Sequence, residues 1–215
     1  MTFNANYLSK TFFIVASLTI GCTGSGMAGC GGDSSGSVPT VESDLIGIYA
    51  LDSFQASPLD PNTNLPVPDS CDQLSDAPAA GNFLVIYSFV PNDTPETARL
   101  GAVFCSSVEE CQDVASRAPD PIIGYSFIQG DDASGWTGYG ISRTSNSGEM
   151  CVADVQIHSL SSEAQSITIN TDTVETEFQA EIVGDEATCS NRAALNSLTP
   201  DLPCKSRLLL KGTRN

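Results

Sequence analysis

Few residue types in this chain could do chemistry, and each also has a structural use. Gly32-Asp33-Ser34-Ser35-Gly36 fits the G-x-S-x-G pattern of a hydrolase nucleophile. That chemistry needs a strand before the serine and a helix after it, so that a strained turn exposes the hydroxyl. Here Gly and Ser surround the match, and it reads as flexible tether. His158 is the single histidine, so every Ser–His, Cys–His or multi-histidine scheme must pass through it. At period two it shares a strand face with Asp154 and Gln156. The functional reading is a general base in a barrel mouth, oriented by Asp154; the plainer one is a ring on a solvated strand face. Trp136 and Tyr139 stand among glycines in Gly135-Trp136-Thr137-Gly138-Tyr139-Gly140. They could form a binding surface, because glycines permit close backbone approach. A core Trp at a strand start is the plainer reading.

Carboxylates occur in pairs at Glu109-Glu110, Asp131-Asp132, Glu175 with Glu177, and Asp185-Glu186. Glycoside hydrolysis asks for two carboxyl groups about 5–10 Å apart in a cleft. Among 26 acidic residues such pairs are unavoidable, so solvated faces explain them. Asp131-Asp132 and Asp60-Pro61-Asn62 offer oxygens to calcium, but no EF-hand loop pattern is present. No cofactor is expected. Against 26 acidic residues stand 9 basic ones, a net charge of −17. Such a surface repels nucleic-acid phosphates and anionic headgroups, which argues against nucleic-acid binding. It also keeps an exported protein soluble.

Export is the reading of the N-terminus. Thr11–Ile20 is an apolar run of ten residues after Lys10, short of the roughly 20 needed to span a bilayer. That is the layout of a secretion signal. Small residues and a cysteine follow twice, as Thr19-Ile20-Gly21-Cys22 and Met27-Ala28-Gly29-Cys30. Both resemble the lipobox of bacterial lipoproteins, in which the cysteine becomes lipidated. Cys22 directly follows the apolar run; Cys30 has the better Ala-Gly-Cys ending. Cleavage before Cys30 leaves six cysteines of the eight downstream, an even set, so Cys30 is preferred and Cys22 is the alternative. A cleaved signal without lipid is the simpler option. The expected organisation is a signal over residues 1–29, a Gly/Ser tether over 30–43 and one domain over 44–215. The resemblance implies a membrane anchor in the bacterial cell envelope, at the outer membrane or on the periplasmic side, or a secreted protein if no lipid is added.

In an exported chain, Cys71, Cys105, Cys111, Cys151, Cys189 and Cys204 read as disulfide partners rather than metal thiolates. No CxxC pair occurs, so zinc-ribbon and thioredoxin-type sites lack their signature. Cys189–Cys204 is the expected pair, closing a short helix onto the last strand. Cys111 is expected to pair with Cys105 or Cys71.

The elements that must position these residues are mostly strands. Leu45–Leu51 opens the domain, and five prolines between residues 56 and 80 make that stretch a long loop. Phe83–Val90 is apolar on both faces and reads as a strand covered on both sides. Leu100–Cys105 is another strand. A capping box at Ser106-Ser107-Val108-Glu109 predicts a helix that ends before Pro119. Strand patterns resume at 122–129, 136–142, 151–160, 166–173 and 175–183. A short helix over 190–198 and a strand over 205–211 follow. About nine strands with one or two short helices predict a single antiparallel β-barrel or β-sandwich, disulfide-bonded. Gly47-Ile48-Tyr49 near the first strand and a basic residue, Arg207, in the last resemble lipocalin-type barrels, which carry Gly-x-Trp at the first position. The Trp is replaced here, and a helix after the third strand departs from that family. A binding or structural role in the envelope is expected, with a small apolar ligand or another envelope protein as partner. A carboxylate-dependent hydrolase is the alternative.

Overall fold

The computed structural model describes residues 39–63, 67, 70–92, 97–118, 121, 124–147, 149–183 and 186–215. The stretch read as a secretion signal, the cysteines of both lipobox-like motifs and the G-x-S-x-G match lie outside the described residues. The strands are β1 (Gly47–Ala56), β2 (Ser75–Asp76), β3 (Phe83–Phe89), β4 (Arg99–Cys105), β5 (Tyr125–Phe127), β6 (Gln129–Asp131) and β7 (Gly135–Ser147). They continue as β8 (Met150–Glu163), β9 (Ser166–Gln179), β10 (Glu181–Val183), β11 (Glu186–Thr188) and β12 (Cys204–Arg214). Helix α1 (Val108–Arg117) follows β4, and helix α2 (Asn191–Asn196) precedes β12.

Nine strands pair antiparallel in the order β5-β4-β3-β1-β12-β9-β8-β7-β6. The two ends of that path, β5 and β6, are separated in the chain by Ile128 alone. Its amide donates to the Thr137 carbonyl at 2.8 Å. One stretch of backbone therefore pairs with β4 through its first half and with β7 through its second. The sheet is a nearly closed barrel, not a sandwich. Neighbours in the barrel are neighbours in the chain, apart from β1 and β12, which bring the two termini of the barrel together.

The sequence patterns map onto this barrel with informative differences. Residues 166–179 form one continuous strand, where two strands broken near Val174 were expected. Ser107 caps α1 by accepting from the Glu110 amide at 3.2 Å, and it is the Glu110 carboxylate that accepts back from the Ser106 amide at 2.7 Å. The capping box is thus shifted by one residue, with Glu110 in the role expected of Glu109. Val41 and Ser43, expected in the tether, belong to the barrel. The Val41 amide donates to Ser88 Oγ, and Ser43 Oγ donates to Asp132.

The longer strands each bury one face in the interior of the barrel. Leu84, Ile86, Leu100, Phe127, Leu160, Ile167, Ile169 and Leu210 fill its interior. The opposite faces of β3 and β4 (Val85, Tyr87, Phe89, Cys105) lie under α1, which explains why β3 is apolar on both sides. The outer faces of β8 and β9 (Cys151, Ala153, Val155, Val174, Phe178) lie under α2 and its flanking chain.

The meander puts its three longest connections at one end. Residues 57–82, 106–124 and 180–203 leave and return there, with the short turn at 148–149, while residues 90–98, 132–134 and 164–165 connect strands at the other. The three disulfides join at the end with the long connections. They are Cys71–Cys204, Cys105–Cys111 and Cys151–Cys189, with Cα–Cα distances of 6.2, 5.4 and 5.7 Å. Cys105–Cys111 is one of the two pairings expected for Cys111. Cys189–Cys204 does not form, for a topological reason. The connection 180–203 folds back over β8, where Ala180 N donates to the Glu149 carbonyl and Asn146 Nδ2 to the Ala187 carbonyl. That places Cys189 beside Cys151. The start of β12 instead meets the Pro-rich connection, where Arg207 and Ser57 exchange hydrogen bonds, and Cys204 finds Cys71. In the chain-entropy account, sequence separations of 133, 38 and 6 residues correspond to about 5, 4 and 2 kcal/mol.

Gly138 is where β5 and β7 come closest. A Cβ added there would lie 1.8 Å from the Ser126 carbonyl oxygen. Neither side can retreat without opening the barrel. Gly138→Ala is expected to lower unfolding free energy by about 3 kcal/mol, at the upper end for overpacking. A urea midpoint unchanged from the parent protein would refute this close approach.

Candidate functional site

The interior is graded from one end of the barrel to the other. The register of β7, β8, β9 and β12 sets the grading out in rows. Nearest the short turns, Trp136, Leu160, Ile169 and Leu210 lie side by side. Next come Gly138, His158, Thr171 and Leu208, then Gly140, Gln156, Thr173 and Ser206. Outermost, at the end with the long connections, stand Arg143, Asp154, Glu175 and Lys205. Apolar side chains thus give way to hydroxyls and an amide, and those to a row of charges.

Two β-bulges build the charged row. Ile141 pairs with Val155 and Arg143 with Asp154, so Ser142 is an extra residue. Cys204 pairs with Val174 and Ser206 with Thr173, so Lys205 is the extra residue on β12. A bulge resets the alternation of faces. Arg143 would otherwise share the outward face of Ile141. Lys205 Nζ donates to Asp154 Oδ1 at 2.8 Å and to Glu175 Oε2 at 2.9 Å. These two bonds, led by Asp154, raise the Lys205 pKa and hold it charged. Asp154 is largely buried and Glu175 is half exposed.

Inside this rim is a cavity of about 600 Å³, within the usual range of about 300–1,000 Å³ for small-molecule sites. Gln156, Thr173, Ser206 and Leu208 form its walls, and Asp60 and Thr63 of the Pro-rich connection border it. At the far end the N-terminal segment is bonded to the barrel beside a second cavity of about 410 Å³, lined by Asp44, Tyr49, Asp132, Ile167 and Arg214. Asp132 accepts from Ser43 Oγ and the Asp44 amide, both at 2.6 Å, and from Trp136 Nε1 at 2.9 Å. This latches the N-terminal segment across the opening. Arg214 lies over the Tyr49 ring, 5.6 Å from its centroid, and donates to the Asp44 and Ile46 carbonyls.

The four candidate residues read from the sequence are not brought together. Trp136 packs against the apolar core, held by Asp132. Tyr139 lies on the other face of β7 from Trp136, so they share no surface. Asp154 serves the rim through Lys205. His158 is 4% exposed, not on a solvated face. Its Nδ1 bonds Thr171 Oγ1 at 3.1 Å, and the Tyr125 ring meets it edge-on at 5.1 Å. Asp154 therefore does not orient it. Burial lowers the His158 pKa from 6.5 to about 4 and raises that of Tyr125. The oxygens considered for calcium are used in local turns. Asp131 Oδ1 accepts from the Ala133 and Ser134 amides, and Asp60 Oδ1 from the Asn62 and Thr63 amides. Among the described residues, no cluster of three or more His, Cys, Asp or Glu side chains is placed to hold a metal ion.

Sequence reasoning passed over Arg143, Thr173, Lys205 and Ser206. It also named Arg207 as the basic residue of the last strand. Arg207 pairs with Asp172 at 2.6 Å, and Arg214 is the residue over Tyr49. No family model, no curated protein and no solved structure matches this chain.

The histidine makes stability depend on pH. A folded-state pKa of about 4 against 6.5 unfolded means the unfolded chain binds more protons between those values. Its stabilising effect is complete above pH 6.5 and is lost as pH falls toward 4, by about 3 kcal/mol in total. Denaturant titrations of the parent and His158→Gln at pH 7 and pH 5 should show the smaller acid loss in the variant. Parallel losses in both proteins would contradict a buried neutral imidazole.

Proposed function

We propose that this chain is a non-enzymatic, small-molecule-binding protein of the bacterial cell envelope, anchored through lipid on Cys30 (alternatively Cys22), with a lipocalin-like barrel. The observation that carries the binding reading is the cavity of about 600 Å³ at the end of the barrel where the long connections arch over it. Binding sites sit preferentially in barrel mouths, on connections held by a rigid scaffold. The lipocalin-like reading is supported by the meander order of the strands. It is also supported by Tyr49 of Gly47-Ile48-Tyr49 stacking on a basic residue of the last strand.

The anchor reading rests on the lipobox resemblance and on three disulfides, which an oxidising compartment sustains. The hydrolase alternative is weaker. Asp154 and Glu175 stand side by side on neighbouring strands, bridged by Lys205. They do not face each other across a cleft, as glycoside hydrolysis requires.

Two measurements test this proposal. Mass spectrometry of the mature N-terminus from the membrane fraction should find a lipidated Cys30 or Cys22; an intact leader on a protein with free thiols would overturn the anchor. A small-molecule fragment screen by amide NMR should produce shift changes that cluster at Gln156, Thr173 and Ser206. Changes confined to other surfaces would overturn the binding site.

A further inference from the structure

The chemistry of the cavity wall narrows the ligand class, on the premise that the mouth cavity is a binding site. Among the described residues that border it, Leu208 is the one aliphatic side chain, and most of the exposed carbon belongs to the stems of polar side chains. An apolar guest would strip water from Gln156, Thr173 and Ser206 without returning their hydrogen bonds. Each such loss costs about 1–3 kcal/mol, enough to cancel much of the gain from burying the guest.

A strongly charged guest fares no better. The rim row runs plus, minus, minus, plus across Arg143, Asp154, Glu175 and Lys205, and Lys205 is already bonded to both carboxylates. An anion meets Asp154 and Glu175 inside a protein of net charge −17. A cation meets Lys205 and Arg143. The wall instead offers donors and acceptors in alternation: an amide, two hydroxyls, planar carboxylates and a guanidinium. Among the described residues Arg143 forms no ion pair, and its guanidinium adds a planar fork of N–H donors to the lining. Between these polar heads run the carbon stems of Lys205, Arg143 and Gln156 and the methyl of Thr173.

A guest that matches both features has hydroxyls that donate and accept, no net charge, and C–H faces to lie on carbon stems. We infer that the mouth cavity binds a neutral saccharide, of mono- or disaccharide size. Gln156, Thr173 and Arg143 hold its hydroxyls, and the Lys205–Asp154–Glu175 bridge forms a fixed polar rim above it.

The test uses the purified oxidised domain and two probe sets. One is a panel of neutral sugars, with glucose, N-acetylglucosamine, maltose and cellobiose. The other is apolar and amphiphilic, with oleate and anilinonaphthalene sulfonate. At least one sugar should give saturable amide shifts at Gln156, Thr173 and Ser206. Gln156→Leu and Thr173→Val should each weaken it at least tenfold while the rest of the amide spectrum is retained. Oleate or the dye binding at those residues, with every sugar silent, would overturn the saccharide class and leave the small-molecule reading standing. Both sets silent at these residues would overturn both. Sugar shifts that survive the two substitutions undiminished would place the sugar elsewhere and overturn the assignment.

Discussion

Closure of the barrel rests on seven residues, Tyr125–Asp131, that serve two neighbours in turn. Their first half satisfies the edge of β4 and their second half the edge of β7. Without that handover the sheet would have two open edges, each a row of unpaired backbone groups available to other chains. The handover needs the segment to pass very close to β7, and Gly138 supplies the space. Everything inside the barrel follows from it. Phe127 and Tyr125 reach the core from this segment, and Asp132, one residue past it, is positioned to latch the N-terminal stretch across the opening.

An antiparallel meander closed in this way has two unlike ends. Alternate connections emerge together, and here the long ones share an end. Long connections carry the larger closure entropy, and that is the end where the disulfides lie. The interior follows the same polarity. Toward the short turns the rows are apolar and packed. Where the connections arch outward and leave space, the rows turn to amide, hydroxyl and charge. His158 lies at the boundary between the two regimes. It is deep enough to be kept neutral, and it is bonded to a hydroxyl rather than a carboxylate.

The strand content, the two helices and the doubly covered β3 were legible because hydrophobic period and capping residues act locally. Ser107 and Ser190 cap the two helices, the first one residue beyond the serine that the capping-box pattern pointed to. Three features were not legible. The barrel's closure depends on a pairing between Tyr125–Asp131 and two distant strands, which no local pattern encodes. The Cys189–Cys204 pairing failed because closeness in sequence does not say over which wall a connection folds. The rim was missed because period-two reasoning assumes an unbroken ladder, and a single bulge residue moves every later side chain to the other face. Asp154 was singled out from its own strand, yet its partner, Lys205, comes from a bulge some fifty positions later. His158 was placed on a solvated face because its neighbours in the strand are polar. The polar face of β8 turns out to be the interior of the barrel's wet half.

This inversion bears on where the site can exist. Lys205 follows Cys204 directly, and Asp154 lies three residues after Cys151. The Cys71–Cys204 bond fixes the start of β12 to the Pro-rich connection that borders the cavity, and the Cys151–Cys189 bond fixes the start of β8. Both carriers of the rim are thus held by covalent bonds a few residues away. The ladder already pairs these ends, Cys151 with Phe178 and Cys204 with Val174, so each disulfide adds a covalent constraint to a strand end that backbone hydrogen bonds also hold. Disulfides persist in an oxidising compartment, and there the rim is fixed in both ways at once.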